Sequence, residues 1–183
     1  MDTRMGERGH SLAEMLVAMS LTALLMAATL GMLQSGLAAS AWGTRRVEAQ
    51  QAVRVALERI ARELREAGYD PASAGIAALV VAEPTRVVLQ RDLDGDGVID
   101  TTRERVTYLL RPGESTLRRD AGAGAQPIAD GVRRLAFSYF DRDGAVTTDP
   151  ATVAAVRIEL EAGRDMPAAL MSTHVMLRNA PFW

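Results

Sequence analysis

Apolar and polar positions divide this chain into three stretches of different period. From Met15 to Leu33 nearly every residue is apolar, and no charge occurs between Glu14 and Arg45. That is a stretch of about 30 positions, where roughly 20 suffice to cross a bilayer. Gly31, Gln34, Ser35 and Gly36 make its later part more polar, so the expected span is Met15 to Leu33. After Thr44 the period changes. Val53, Leu57, Ile60 and Leu64, with Ala56 and Ala61, recur at three and four and form one apolar helix face. Arg54–Glu58, Glu58–Arg62, Arg59–Glu63 and Arg62–Glu66 are spaced as i,i+4 ion pairs on the other faces, each contributing a few tenths of a kcal/mol. Gly68 offers a C-cap and Asp70-Pro71 a stop. Gly31, Gly36 and Gly43 are expected to be flexible points near the bilayer surface.

From Ala77 onward the period shortens to two. "LVVA", "RVVLQ", "RVTYLL", "VRRLAFSYF", "VAAVRIELEA" and "LMSTHVMLR" read as strands separated by Gly, Asp and Pro. Val132, Leu135 (after a bend), Phe137 and Tyr139 alternate, as do Val156, Ile158 and Leu160. One-sided alternation suits an antiparallel sheet with one face on a helix. A coiled-coil seam would give the helix the same stripe, but the stripe is short and the strands need a partner face. The expected fold class is therefore α+β, one long N-terminal helix packed on a mainly antiparallel sheet. "DAGAGAQ", from Asp120 to Gln126, reads as a flexible connection.

Composition narrows the chemistry. There is no cysteine, which excludes disulfides, thiolate metal sites and a cysteine nucleophile. The formal net charge of −2 gives no basic surface for nucleic acid, so no nucleic-acid partner is expected. Arg4 and Arg8 before the apolar run are balanced by Asp2 and Glu7, and Arg45, Arg46 and Arg54 follow it, so charge alone does not orient the segment. The two histidines, His10 and His174, are far apart in sequence. Ser115 in "PGESTL" lacks the flanks of a nucleophile elbow, and no phosphate loop or zinc spacing occurs. No catalysis is expected.

The densest chemistry is "RDLDGDGVID". Asp92, Asp94 and Asp96 alternate, Gly97 follows, and Asp100 comes four positions after Asp96. Alternate carboxylates in a tight loop can converge on a hard cation such as calcium, which takes six to eight oxygens. An EF-hand is excluded, because its twelfth position is Arg103, Glu104 is one place late, and strands flank the loop. A calcium loop at a hairpin tip stands against a solvated acidic turn, since Asp-Gly is itself a turn signal. No cofactor is required by any motif; calcium is the one ion that the Asp92, Asp94, Asp96 and Asp100 pattern suggests. "FDRDGAVTTD" repeats the theme at Asp141, Asp143 and Asp149 without a third close carboxylate and reads as a simple turn.

"RGHSLAEMLVAMSL" resembles the class III signal of type IV pilins and type II secretion pseudopilins. Arg8-Gly9 matches the end of the leader, Ser11-Leu12 the pair that follows the first mature residue, and Glu14 the fifth mature position. The departure is His10, where the family most often has Phe. "ARELREAGYDPASAGI" is similar to minor pilins of the PilW type and to pseudopilin J. The resemblance implies that a prepilin peptidase cuts between Gly9 and His10 and methylates the new amine of His10. It implies further that the Glu14 carboxylate meets the terminal amine of a neighbouring subunit in an apolar bundle, where each charge alone would be costly. On this reading residues 1–9 are a leader, 10–43 the transmembrane and assembly half of the helix, 44–68 its amphipathic half, and 69–183 a β-rich domain. The implied role is a minor pilin-like subunit of a type IV pilus, held in the inner membrane with its globular domain in the periplasm and partnered by other pilins or pseudopilins. Pseudopilin J of a type II secretion system is the first alternative. A single-pass membrane protein with a calcium-binding extracytoplasmic domain is the second. A secreted domain released after Ala41 is the third, suggested by Ala39-Ser40-Ala41.

Overall fold

A computed structural model of the chain describes residues 11–163 and 169–179. Its elements are a helix α1 (Leu12–Glu66), strands β1 (Leu79–Glu83), β2 (Arg86–Gln90), β3 (Arg105–Leu109), β4 (Thr116–Asp120), β5 (Gln126–Asp130) and β6 (Val132–Phe140), a 3-10 turn (Pro150–Thr152), and strands β7 (Ala155–Ala162) and β8 (Ala169–Met176). The chain divides into two compact units, Met1–Arg45 and Arg46–Trp183.

In the first unit the described residues form helix from Leu12 onward. The Ser11 hydroxyl accepts from the Ala13 amide (3.2 Å) and its carbonyl from the Met15 amide (3.1 Å), which closes the first turn. The helix continues through Gly31, Gly36 and Gly43 without a break. Its apolar side chains, Leu16, Val17, Leu24, Leu25 and Leu33 among them, are all more than half exposed. The hydroxyls in this run are satisfied by their own backbone. Ser20 donates to the Val17 carbonyl (2.8 Å), Thr22 to Ala18 (2.7 Å), Thr29 to Met26 (2.9 Å) and Ser35 to Gly31 (2.8 Å).

In the second unit the amphipathic stripe is the core face of α1: Val53, Ile60 and Leu64 lose all contact with solvent, and Ala56, Leu57 and Ala61 nearly so. The strands form two antiparallel sheets where the sequence suggests one. Strands β1-β2-β3-β4-β5 make a five-stranded meander and β6-β7-β8 a three-stranded one. A single hydrophobic core joins both sheets to α1, with Leu89, Val106, Tyr108 and Leu117 from the first, Phe137, Ile158 and Leu160 from the second, and Leu177 just after β8. The bend before Leu135 is a bulge at Arg133, where the register skips between Val132 and Arg134. The amides of Val132 and Phe137 donate to the carbonyls of Ser115 (2.9 Å) and Pro84 (2.8 Å), and the Tyr139 hydroxyl donates to the Glu83 carbonyl (2.8 Å), which stitches β6 to the larger sheet.

Strands β4 and β5 correct the sequence reading. "TLRRD" and "QPIAD" were not expected as strands, because neither alternates cleanly and the second contains Pro127. The sheet accommodates Pro127 because β5 is an edge strand. "DAGAGAQ" is accordingly the β4–β5 hairpin turn with its two flanking strand residues.

Two of the four expected helix ion pairs form, Arg54–Glu58 at 3.0 Å and Arg59–Glu63 at 3.6 Å. Glu66 instead pairs with Arg91, and Glu63 turns into the core. There Glu63 accepts from the Tyr108 hydroxyl (2.8 Å) and from Arg119 Nε (3.1 Å to each oxygen). A buried carboxylate on α1 thus joins β3 and β4. Its charge raises the Tyr108 hydroxyl pKa further above a tyrosine's ordinary value, beyond the larger effect of burial.

Candidate functional site

Two places carry chemistry, the start of α1 and the loop between β2 and β3. Gly9 and His10 lie outside the described residues. Glu14 is exposed in the first turn of α1, three residues after Ser11. A carboxylate there interacts favourably with the unpaired amides and positive end of the helix. "SLAE" has the spacing of a capping box, a local signal for Glu14 that the sequence reading did not use.

The helix stops at Gly68, where the C-cap is expected, and Asp70 rather than Tyr69 shapes the turn that follows. Gly68 takes φ +76°, and its amide donates to the Gln90 carbonyl (2.8 Å). The Tyr69 ring is exposed, and its carbonyl accepts from the Asp92 amide (2.8 Å). Asp70 holds the turn: its carboxylate accepts from the amides of Ala74 (3.0 Å), Gly75 (2.7 Å) and Ile76 (3.1 Å). The Ala74 amide first, then that of Ile76, hold the Asp70 pKa below the usual carboxylate value.

The acidic loop sits at a hairpin tip, as expected: β2 and β3 pair from Arg86↔Leu109 to Gln90↔Arg105. Asp92 is wholly buried and accepts from the amides of Gly95 (2.7 Å) and Gly97 (2.9 Å), both glycines at positive φ. Asp94 accepts from the Asp96 amide (3.2 Å) and Asp96 from the Val98 amide (2.8 Å). One carboxylate oxygen from each of Asp92, Asp94 and Asp96 lies within 4.8 Å of the other two. At calcium–oxygen distances of about 2.3–2.6 Å, three atoms so placed can touch one ion. The remaining lone pairs of the three carboxylates leave them able to bind while keeping their amide bonds.

Asp100 stands apart from that trio. Its carboxylate accepts from the amide (2.9 Å) and hydroxyl (2.7 Å) of Thr102, which hold its pKa down. Glu104 is nearly buried and braces the loop from inside, accepting from the amides of Leu93 (2.7 Å), Asp94 (3.3 Å) and Asp100 (2.8 Å). These bonds, that of the Asp100 amide first, lower the Glu104 pKa. The sequence reading placed Glu104 one position late for a ligand; its role is to fold the loop. Neighbouring loops confine it. A Cβ on Gly97 would lie 3.1 Å from the Ala74 side chain, and one on Gly95 3.4 Å from Pro71. The β4–β5 turn closes the other side, with Gly122 against Thr101 and Thr102.

Asp94 carries the electrostatic strain of the cluster. The amide of Asp96 favours its ionised form, but desolvation and the charges of Asp96, Glu104 and Asp92 together push its pKa above the ordinary value. A carboxyl whose pKa is raised by folding opposes folding above that pKa and ceases to do so as pH falls through it. Glu104 and Asp100, with lowered pKa values, act in the opposite sense: their contribution is present at neutral pH and lost on acidification.

The other candidates make local contacts. Asp141 accepts from the amides of Asp143 (3.0 Å) and Ala145 (2.8 Å), a simple turn, and Asp149 caps the 3-10 turn through the Ala151 amide (3.0 Å). His174 is exposed on β8, its ring edge-on to Phe140 at 5.7 Å.

Residues 4–30 match the family model of the prokaryotic N-terminal methylation motif. A search of curated proteins found no match to the chain.

Proposed function

We propose that this chain, whose N-terminal segment is that of type IV pilins and pseudopilins, is a minor pilin-like structural subunit of a type IV pilus. The observation that carries the reading is a methylation motif coinciding with a helix whose apolar side chains have no cover of their own. Residues Met15–Leu33 extend about 28 Å as helix, close to the thickness of a hydrocarbon core. Such a surface belongs in lipid or against other apolar helices. In this role a prepilin peptidase removes residues 1–9 and methylates His10, the helix holds the subunit in the inner membrane with its β-rich domain in the periplasm, and assembly then packs the helices of neighbouring pilins together. Glu14 pairs there with the terminal amine of an adjacent subunit, which offsets the cost of each charge in apolar surroundings. The motif points to a structural subunit rather than an enzyme.

Intact mass and N-terminal sequencing of protein from membranes and sheared filaments test this directly. The expected N-terminus is His10 with one added methyl group. Retention of Met1 would rule out pilin processing, and a start at Trp42 would make the apolar run an ordinary signal peptide.

The acidic loop enters the proposal as a structural calcium site formed by Asp92, Asp94 and Asp96, bracing the β2–β3 tip without catalysis. Calcium is expected to raise the thermal midpoint of the full chain in micelles and chelator to lower it. Asp94→Asn is expected to abolish that difference while raising the midpoint in chelator, since it removes the charge that opposes folding. Equal midpoints of the unsubstituted chain with calcium and with chelator would discard the site.

A further inference from the structure

The four sheet edges of the β-rich unit are not alike. Strand β1 is five residues long, breaks register between Leu79 and Val81, and ends on Glu83. Strand β5 carries Pro127 and an irregular register at Ile128. Strand β6 has a bulge at Arg133, and its Val132 and Phe137 amides are taken by the carbonyls of Ser115, just before β4, and Pro84, in the β1–β2 turn. Each of these is a known means of keeping an edge from pairing with another chain. Strand β8 has none of them. Its eight residues, "ALMSTHVM", include no charged residue, proline or glycine, and its register against β7 is unbroken from Ala155↔Met176 to Ala162↔Ala169. Among the described residues, none of its backbone groups bonds to anything on the side away from β7.

A groove of about 690 Å³ runs between this strand and α1. Leu57, Ala61 and Met171 give it an apolar floor, and Arg54, Arg62 and Arg65 line it from the helix. Arg54 is paired with Glu58. Arg62 and Arg65 have no ion-pair partner among the described residues, so the groove carries uncompensated positive charge.

We propose that β8 and this groove receive an extended acidic segment of a partner protein, which adds to β6-β7-β8 as a fourth strand. The open edge supplies main-chain hydrogen bonds, the apolar floor takes alternate side chains, and Arg62 and Arg65 select carboxylates. The proposal does not depend on the pilin reading.

The test uses the full chain in detergent micelles with a labelled decapeptide of alternating valine and glutamate. Controls are the same peptide with lysine for glutamate, and with a central proline. Fluorescence anisotropy reads binding, and amide hydrogen exchange reads protection along Ala169–Met176. The acidic peptide is expected to bind about tenfold more tightly than the lysine peptide and to slow exchange in β8, and the proline peptide to do neither. The double substitution Arg62→Glu, Arg65→Glu is expected to reverse the preference, a result that loss of folding cannot mimic. Binding without slowed exchange in β8, or equal affinity for the acidic and lysine peptides, would overturn the proposal. So would β8 amides already protected in the free chain that lose protection when residues 180–183 are deleted, which would make the chain's own terminal residues the occupant.

Discussion

Glu63→Ala is expected to destabilise the β-rich unit by about 3 kcal/mol, because it strips the partner from a largely buried arginine. Arg119 keeps 17% of its side-chain exposure and Glu63 9%, so water screens the pair little once formed. Removing the carboxylate leaves the Arg119 charge and the Tyr108 hydroxyl facing an apolar hole, and each is costly unpaired. For a unit of this size the corresponding loss in thermal midpoint is about 10 °C, measurable by circular dichroism on the full chain in micelles. The instructive comparison removes all three polar groups together. Glu63→Met, Arg119→Met and Tyr108→Phe in one chain are expected to recover most of the lost midpoint, since a well-packed apolar replacement of a buried ion pair is often neutral or better. If Glu63→Ala shifted the midpoint by less than about 2 °C, the network would contribute little to stability and the account of how α1 is joined to β3 and β4 would fail.

Gly122→Ala is expected to cost about the same, by a different mechanism. Gly122 has φ +92°, and an added Cβ would stand 2.2 Å from Thr102 Cα and 2.7 Å from the Thr101 carbonyl oxygen. Both neighbours are backbone, so no side-chain rotation relieves the clash. The left-handed conformation adds about 1–2 kcal/mol and the forced displacement about 1–3 kcal/mol. Gly124 is the matched control: it has φ +90° in the same turn but nothing within 4 Å of the added atom. Gly124→Ala should show the conformational cost alone, about 1 kcal/mol. Equal midpoints for the two variants would mean that the β4–β5 turn does not press on the acidic loop. Because the displaced residues end that loop, Gly122→Ala should also weaken any calcium-dependent gain in midpoint, and Gly124→Ala should leave it intact.

The two predictions also mark where sequence reading succeeded and where it ran out. The stripe from Val53 to Leu64 and the alternation of Val156, Ile158 and Leu160 were legible because burial of one face imposes a period that a single segment displays. The hairpin tip at Asp92–Asp100 was legible because strands bound it on both sides. Glu63 was not, although it falls on the core face beside Ile60 and Leu64. Its partners Tyr108 and Arg119 lie 45 and 56 residues away, and nothing local encodes that meeting. The same reason hid β4, whose Arg118 and Arg119 break the alternation because they serve Glu114 and Glu63. Loop geometry also decided Asp100 and Glu104: spacing put Asp100 among the ligands, whereas its carboxylate accepts from Thr102, and Glu104, for which the spacing suggested no role, gathers the loop amides.

The hydroxyls of Ser20, Thr22, Thr29 and Ser35 have a consequence for the energetics of assembly. Each is already bonded to a carbonyl of its own helix, so none of these four hydroxyls seeks a partner in whatever surrounds the segment. In the proposed assembly, moving it from lipid into a sheath of other apolar helices would exchange one oily solvent for another, with little hydrophobic gain or loss either way. The direction of that transfer is left to shape, to the small residues that let backbones approach, and to the single carboxylate at its entrance. On such a transfer these four hydroxyl bonds would travel with the helix and would not have to be remade.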